Sequence, residues 1–271
     1  MGHSLKLPRI LGILNVTPDS FSDGGLYSVT DRAVERAEAL IEAGADWVDI
    51  GGESTRPGAA AVDAETEMSR VIPVIKKILA KWPSALVSID TSKAVVAQAA
   101  IDAGAKMVND VSAMSDPQMA QVVASAGVRI VLMHMPGTPR TMMGMTHYTD
   151  VVEEVTEHLC LRANAALTAG IAKDQIVLDP GIGFGKTTID NLKLINNLAK
   201  LQQVGYPVLI GASRKRFIGE VSGVVDASER VAGSVGVALA ATARGVEMLR
   251  VHDVAATKHA LQLYIAINNA E

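Results

Sequence analysis

Hydrogen-bonding and charged side chains stand at the ends of the apolar stretches of this sequence, and their types limit the chemistry it can perform. Arg250 and His252 are two residues apart in "EMLRVHD". Residues two apart on a strand face the same side, so this pair suits anionic oxygens. The other candidates are Asn15, Glu53, Asp90, Asn109, Asp110, His134, Asp179, Ser213, Arg214, Lys215 and Asp253. Taken singly, each is also what is expected where a strand leaves the core and meets water.

The stretch "LDPGIGFGKT" (178–187) has the glycines and the lysine of a phosphate-binding loop. A P-loop requires its first glycine five residues before Gly185, where this chain has Pro180, which has no N–H to offer an anion. The dinucleotide fingerprint also fails, because Lys186 stands where its third glycine is required. What remains is a strand, "QIVLD", that ends at Asp179 and continues into a glycine-rich turn.

The elements that position these residues are short apolar stretches alternating with amphipathic helical stretches. Eight strands are predicted, at 9–16, 46–52, 86–90, 107–111, 129–134, 175–179, 207–213 and 247–253. Strict alternation indicates a parallel sheet with right-handed crossovers, and eight units favour an α/β fold of the (β/α)8 TIM-barrel type. With no composition break, 1–271 is predicted to be one domain. The alternative is an open doubly wound sheet, which would usually carry a glycine fingerprint where this chain reads "ILNVTPDS".

Composition narrows the function further. The chain is 49% hydrophobic but only 3% aromatic, which suits a sheet covered by helices and argues against base stacking on aromatic side chains. Its net charge of −4 gives no reason to expect nucleic acid or a membrane surface as a partner. Cys160 is the only cysteine, so no intrachain disulfide is possible. Without an apolar signal core at the N-terminus, a cytoplasmic protein is expected.

Three long segments rich in turn-forming residues follow predicted strands one, two and five. They read "TPDSFSDGGLYS", "ESTRPGAAAVDAE" and "MPGTPRTMMGMTHYTD". Long loops at the carboxyl ends of barrel strands are often mobile lids over an active site, although plain surface loops are the simpler alternative.

Eight segments, taken in order from about Ile10 to Val254, resemble the dihydropteroate synthases of folate biosynthesis. They are "GILNVTPDSFSDGG", "DIGGESTRPGA", "VSIDTSK", "VNDVSA", "LMHM", "LDPGIGFGK", "GASRKRFIG" and "RVHDV". The resemblance implies a (β/α)8 barrel that joins 6-hydroxymethyl-7,8-dihydropterin diphosphate to 4-aminobenzoate, with release of diphosphate. It also implies Mg2+ as cofactor, sulfonamides as inhibitors and a homodimer. Pro136 departs from the family, which commonly has glutamine there.

The resemblance assigns roles residue by residue. The implied pterin contacts are Asp90, Asn109, Met133, Asp179, Phe184 and Lys215. The implied diphosphate contacts are Asn15, Thr55, Arg250 and His252, with Asn15 also the metal ligand. The implied aminobenzoate and loop contacts are Phe21, Arg56, Pro57 and Ser213, joined in the first loop by Asp19 and Asp23. Asp90, Asp179, Lys215 and Arg250 are expected to be catalytic, stabilising charge in a dissociative substitution.

Two other functions stay open at this point. A methyltetrahydrofolate-dependent corrinoid methyltransferase shares a pterin-binding barrel, but it has no need of the "TPDSFSDGG" and "ESTRPG" loops or of a cationic pocket for diphosphate. A barrel that binds pterin or phosphate without catalysis is the second alternative. Measuring diphosphate release together with dihydropteroate formation separates all three.

Overall fold

The residues that the structure describes form one eight-stranded, all-parallel sheet. The computed structural model describes residues 5–17, 26–56 and 58–270. Its strands are β1 (Arg9–Asn15), β2 (Trp47–Gly51), β3 (Val87–Asp90), β4 (Met107–Asp110), β5 (Arg129–Met133), β6 (Ile176–Asp179), β7 (Leu209–Ile210) and β8 (Met248–Val251). They are hydrogen-bonded in the order β6-β5-β4-β3-β2-β1-β8-β7.

The two outer strands of this order meet and close the sheet into a barrel. Leu178 of β6 pairs with Val208 in a single parallel bridge, and the Leu178 N–H donates to the Pro207 carbonyl at 2.9 Å. The predicted (β/α)8 TIM barrel is therefore confirmed, and the open doubly wound sheet is wrong. Strand seven is shorter than its predicted range of 207–213, in part because Pro207 has no N–H to donate to a neighbouring strand.

Helices follow the strands and cover the barrel. They are α1 (Leu26–Glu42), α2 (Ala64–Lys81), α3 (Ala94–Asp102), α4 (Met119–Ala126), α5 (Val151–Thr168), α6 (Thr188–Asn196), α7 (Leu198–Gln202), α8 (Arg216–Ser222), α9 (Val231–Ala243) and α10 (Val254–Asn268). Asp63 begins α2 by accepting the Thr66 N–H at 2.7 Å. Gly127 ends α4 at a φ of +63°, which glycine adopts without a Cβ clash. Within the described residues, no helix is long and apolar enough to cross a membrane.

The barrel interior contains a small apolar cluster that we call the plug layer. Its members are Leu11, Trp47, Met107, Val131, Val177, Leu209 and Met248. A much larger apolar cluster lies between the strands and the helices. Because side chains alternate along a strand, the residue two positions after a plug-layer residue also faces the interior. Asn109, Asp179 and Arg250 stand at such positions, so the pattern of the strands directs these polar side chains into the barrel mouth.

Candidate active site

Arg250 lies at the centre of the site and joins two acidic side chains. Its Nε donates to Asp49 Oδ2 and its Nη2 donates to Asp90 Oδ2, both at 2.6 Å. Asn109 Nδ2 donates to the same Asp49 oxygen at 3.1 Å. Strands β2, β3, β4 and β8 are thereby connected by one hydrogen-bonded group, which we call the acid–arginine cluster (Asp49, Asp90, Asn109 and Arg250).

Burial sets the electrostatics of this cluster. Burial raises the pKa of Asp90 to about 7, although Arg250 opposes the rise. Burial alone would lower the pKa of Arg250, but Asp49 and Asp90 raise it above its ordinary value. Asp49 Oδ1 and Asp90 Oδ1 are buried and accept no hydrogen bond from the part of the chain that the structure describes. Since buried acceptors are normally paired, these two oxygens suit a ligand that brings N–H groups.

Asp179 forms a second acidic centre at the end of β6. It is 4% exposed, and its Oδ1 accepts the Gly181 N–H at 2.7 Å. Burial raises its pKa, with Lys215 opposing most strongly. Burial lowers the pKa of Lys215 to about 7 against the attraction of Asp179. Lys215 Nζ lies 4.3 Å from the ring centroid of Phe184 and donates to the Ile182 carbonyl.

A buried lysine holds the glycine-rich turn after β6 by hydrogen bonds to protein groups, so this turn does not form a phosphate-binding loop. Lys186 is 2% exposed, and its Nζ lies 2.9 Å from both His134 Nδ1 and the Phe184 carbonyl oxygen. Gly181 has a φ of +69°, and a Cβ there would lie 1.9 Å from the His134 carbonyl oxygen. Lys186 therefore fastens the turn that carries Phe184, which agrees with the failure of the P-loop spacing.

His252 and Ser213 pair with each other at the mouth. His252 Nδ1 lies 3.1 Å from Ser213 Oγ, and the His252 N–H donates to the same oxygen at 3.2 Å. Burial, together with the positive charge of Arg250, lowers the pKa of His252 to about 4. His252 is therefore neutral at pH 7. The sequence predicts that Arg250 and His252 form a cationic pair. In the structure, Arg250 supplies one positive charge and His252 supplies a neutral hydrogen-bonding ring.

The backbone after β7 is held in an uncommon conformation. Arg214 has a φ of +60°, and its N–H donates to Ser234 Oγ at 2.8 Å. Its guanidinium makes two hydrogen bonds to Asp253, at 2.9 and 2.5 Å. Arg230 donates to the Arg214 carbonyl at 3.1 Å. These contacts fix the segment that presents Ser213 and Lys215, so Arg214 and Asp253 support the site rather than line it.

The remaining predicted residues lie at strand ends, on the loop after β2, or outside the described ranges. Asn15 ends β1, and a Cβ at Gly51 would lie 3.8 Å from Asn15 Oδ1. Thr55 is partly buried and Arg56 is exposed. Met133 is buried at the end of β5 and pairs with Asp179 in the sheet register. The first-loop residues Asp19, Phe21 and Asp23, and Pro57 of the second loop, lie outside the described residues.

Comparison with known proteins assigns this arrangement to a family. The pterin binding enzyme family matches residues 11–252. A dihydropteroate synthase of Neisseria meningitidis serogroup C is 47% identical over 267 residues, covering 97% of this chain and 94% of that protein. This chain belongs to the dihydropteroate synthases.

Two solved dihydropteroate synthase structures from Xanthomonas albilineans resemble the barrel closely. One, with 4-aminobenzoic acid, is 50% identical with a TM-score of 0.92, covering 97% of this chain and 94% of that one. The other, in complex with 7,8-dihydropteroate, is 48% identical with a TM-score of 0.89, covering 97% and 95%. Family membership and the barrel therefore agree with the resemblance seen in the sequence.

Within this dihydropteroate synthase framework, the structure brings most of the predicted residues to one end of the barrel. It also reveals Asp49, which the reading of strand ends missed. Asp49 is fully buried within β2, two residues after Trp47 of the plug layer. One feature of the sequence does point to Asp49: it is a carboxylate inside an apolar strand. A buried charge must be paired, so such a residue implies a partner in the fold.

Proposed function

We propose that the chain joins 6-hydroxymethyl-7,8-dihydropterin diphosphate to 4-aminobenzoate through two neighbouring subsites at the barrel mouth. As a dihydropteroate synthase it is a transferase that makes 7,8-dihydropteroate. The observation that carries the division into subsites is the acid–arginine cluster. There, buried carboxylate oxygens that accept no hydrogen bond from any described residue lie next to the guanidinium of Arg250.

The first subsite would hold the pterin ring. Asp90 Oδ1 and the carboxylate of Asp179 are acceptors for the ring and amino N–H groups, while Asn109 and Lys215 are donors for the carbonyl and ring nitrogen. Carboxylates bind paired N–H groups especially well, and such a ligand would satisfy the buried acceptors. Met133 and Phe184 would pack on the flat ring, with Phe184 already set by the turn that Lys186 holds.

The second subsite would hold the diphosphate. Arg250 brings positive charge to the inner edge, and His252 brings a neutral ring that can donate one hydrogen bond. Thr55 and Arg56 on the loop after β2 would contact the outer oxygens. Donors fixed in place before the reaction stabilise the charge that develops on a leaving group, and in many enzymes this stabilisation accounts for most of the rate enhancement.

The reaction would proceed by dissociative substitution. The bond between the pterin methylene carbon and the diphosphate oxygen breaks first, and its electron pair leaves with the diphosphate. The buried carboxylates Asp90 and Asp179 favour the resulting cationic ring. The neutral arylamine of aminobenzoate then attacks the methylene and loses a proton, so the site needs no strong general base.

The residues present fit a magnesium ion held mainly by the substrate. Asn15 Oδ1 faces the space that Gly51 leaves beside Asp90. In the described residues, no cluster of three His, Cys, Asp or Glu could hold a metal on its own. One protein oxygen together with diphosphate oxygens and waters suits Mg2+, which keeps several waters. When bound, Mg2+ would neutralise charge on the diphosphate.

The rim of the mouth would accept 4-aminobenzoate. Phe21 and Pro57 are proposed to form its walls, and Ser213, whose Oγ lies 3.1 Å from His252 Nδ1, is proposed to contact its carboxylate. Sulfonamides, which resemble aminobenzoate in shape and charge, would compete for the same place. Inhibition should therefore weaken as the aminobenzoate concentration rises.

The test is a coupled measurement. The protein is incubated with pterin diphosphate, aminobenzoate and Mg2+, while diphosphate and dihydropteroate are followed together. Equal amounts of both products support the proposal. Methyl transfer to a corrinoid, or binding of pterin without turnover, would reject it.

A homodimer is part of the proposal. Helices α9 and α10 pack against each other, and α10 leaves Leu263 and Ile267 each 64% exposed. Apolar side chains in such a position favour burial against a second copy. Sedimentation velocity should give a dimer for the wild type, and Leu263→Lys should shift it toward monomer; a monomeric wild type would reject the dimer.

A further inference from the structure

A buried ion cluster lies behind the loop after β2, away from the groups assigned to substrate. Lys93 Nζ donates to Glu53, and it donates to Glu67 Oε2 at 2.6 Å. Glu67 is fully buried, while Lys93 and Glu53 are about three-quarters buried. We call these three residues the Lys93 clamp.

Glu53 of the Lys93 clamp connects the two ends of the loop after β2. Glu53 follows β2 at the start of the loop, and its Oε1 accepts the Val62 N–H at 3.0 Å near the end. One carboxylate thus bridges residues 53 and 62. Thr55 and Arg56, the loop residues proposed to contact diphosphate, lie between these two points.

Lys93 connects that loop to the strand that carries Asp90. It stands three residues after Asp90, and its N–H donates to Thr91 Oγ1 at 3.2 Å. The Thr91 N–H donates in turn to the Asn109 carbonyl at 3.2 Å. Lys93 therefore joins the loop after β2, through its ammonium on Glu53, to the pterin-facing ends of β3 and β4, through its backbone N–H on Thr91.

Two carboxylates, Glu53 and Glu67, share the ammonium of Lys93, so Lys93 is the counter-charge for both of them. Glu67 Oε1 accepts no hydrogen bond among the described residues. Burial alone would lower the pKa of Lys93, but its hydrogen bonds with Glu53 and Glu67 keep the pKa above its ordinary value. Removing the ammonium would leave two carboxylates close together without a counter-charge, and Glu53 would turn toward water.

From this geometry we propose that Lys93 is a positioning residue, which holds the loop after β2 in the conformation that completes the diphosphate and aminobenzoate subsites. The inference rests on the proposed function. Lys93 acts through Glu53 and touches no substrate. Its loss should therefore affect the loop-dependent subsites much more than the pterin subsite, to which Lys93 is linked through Thr91 and not by direct contact.

The decisive comparison uses Lys93→Met and the double variant Lys93→Met/Glu67→Met. The double variant removes the buried carboxylate that Lys93→Met leaves unpaired, which separates folding from positioning. Both variants should raise the KM for aminobenzoate about tenfold, the equivalent of losing one hydrogen bond to a charged group. The affinity for a pterin without diphosphate should stay within about twofold of the wild type. Lys77→Met, which breaks an exposed ion pair between helix α2 and Asp31, is the matched control.

Hydrogen exchange gives a readout that does not depend on activity. The Val62 amide should exchange about tenfold faster in both Lys93 variants, because its acceptor Glu53 is no longer held. The Ile50 amide in β2 should be unchanged. If the double variant recovers the wild-type KM and Val62 protection, Lys93 only balances charge and the proposal is overturned. A wild type that makes no dihydropteroate would reject the proposed function, while the Val62 exchange would still report on the clamp.

Discussion

The two levels of the barrel interior draw largely on the same strands for opposite purposes. The plug layer is apolar and almost completely buried, and it contributes the free energy of burial without placing any charge in the core. Two residues further along three of these strands stand Asp49, Asn109 and Arg250 of the acid–arginine cluster, and Asp90 joins them from β3, which contributes no residue to the plug layer. Buried ion pairs of this kind add little to stability compared with apolar packing. The lower level therefore stabilises the fold, and the upper level uses part of that stability to hold groups suited to a charged ligand.

The substitution with the largest expected effect on this comparison is Arg250→Met. Turnover should fall on the order of a thousandfold, because the fixed donor next to the leaving group is removed. The free energy of unfolding should fall by about 3 kcal/mol, since Asp49 and Asp90 lose their counter-charge. Steady-state kinetics and urea denaturation measure the two losses separately. Adding Asp49→Asn to Arg250→Met should recover much of the stability and none of the turnover; recovery of turnover would remove Arg250 from the mechanism.

Met107→Ala tests the lower level alone. Truncating this fully buried side chain should reduce the free energy of unfolding by about 3 kcal/mol, because it leaves a cavity in a packed layer. The kcat/KM of the folded fraction should stay within about twofold of wild type. A large change in kcat/KM with little change in stability would contradict the division of the two levels.

Asp179→Asn tests whether the upper level of the barrel interior binds the pterin ring. An amide cannot accept both N–H bonds of a pterin ring, so the affinity for pterin should weaken by about 2 kcal/mol. Isothermal titration calorimetry measures this directly. The Gly181 N–H can still bond the amide oxygen, so the turn should persist. Unchanged affinity would exclude Asp179 from the pterin subsite.

The smallest effect concerns the protonation of His252. Its folded-state pKa of about 4 lies below the ordinary value of 6.5, so the neutral ring is favoured in the native protein. The stability that this neutral ring gives is fully present above pH 6.5 and is lost as the pH falls toward 4. The His252 ring signals in an NMR titration should move with a midpoint near 4. A midpoint above neutral pH, which would leave the ring mainly protonated, would restore the doubly cationic pair.

The sequence predicts the barrel and most of the site because both follow from local patterns. Strand alternation puts Asn109, Asp179 and Arg250 on the interior face two residues after plug-layer positions. Other features required tertiary contacts. Asp49 was hidden because it lies within an apolar strand, and only the position of Arg250, 201 residues away, explains its burial. The neutrality of His252 also depends on burial, which residue type and spacing do not report.

The Lys93 clamp shows the same limit. Lys93 and Glu53 each lie within a quoted motif, "VSIDTSK" and "DIGGESTRPGA", yet nothing in their spacing links them, since they are 40 residues apart. The role of Lys186 was equally invisible, because the glycines around it drew attention to phosphate. In both cases the sequence identified the segment, and the folded structure identified the partner.

The single bridge between Leu178 and Val208 makes the barrel uneven around its circumference. Every other neighbouring pair of strands is joined by at least two paired residues, whereas β6 and β7 meet at one. Asp179 ends β6 on one side of this seam, and Lys215 follows β7 on the other. A ligand bound to both side chains would connect β6 and β7 where neighbouring strands of the barrel share the fewest paired residues. Ligand binding at the barrel mouth should therefore slow the unfolding of the whole barrel.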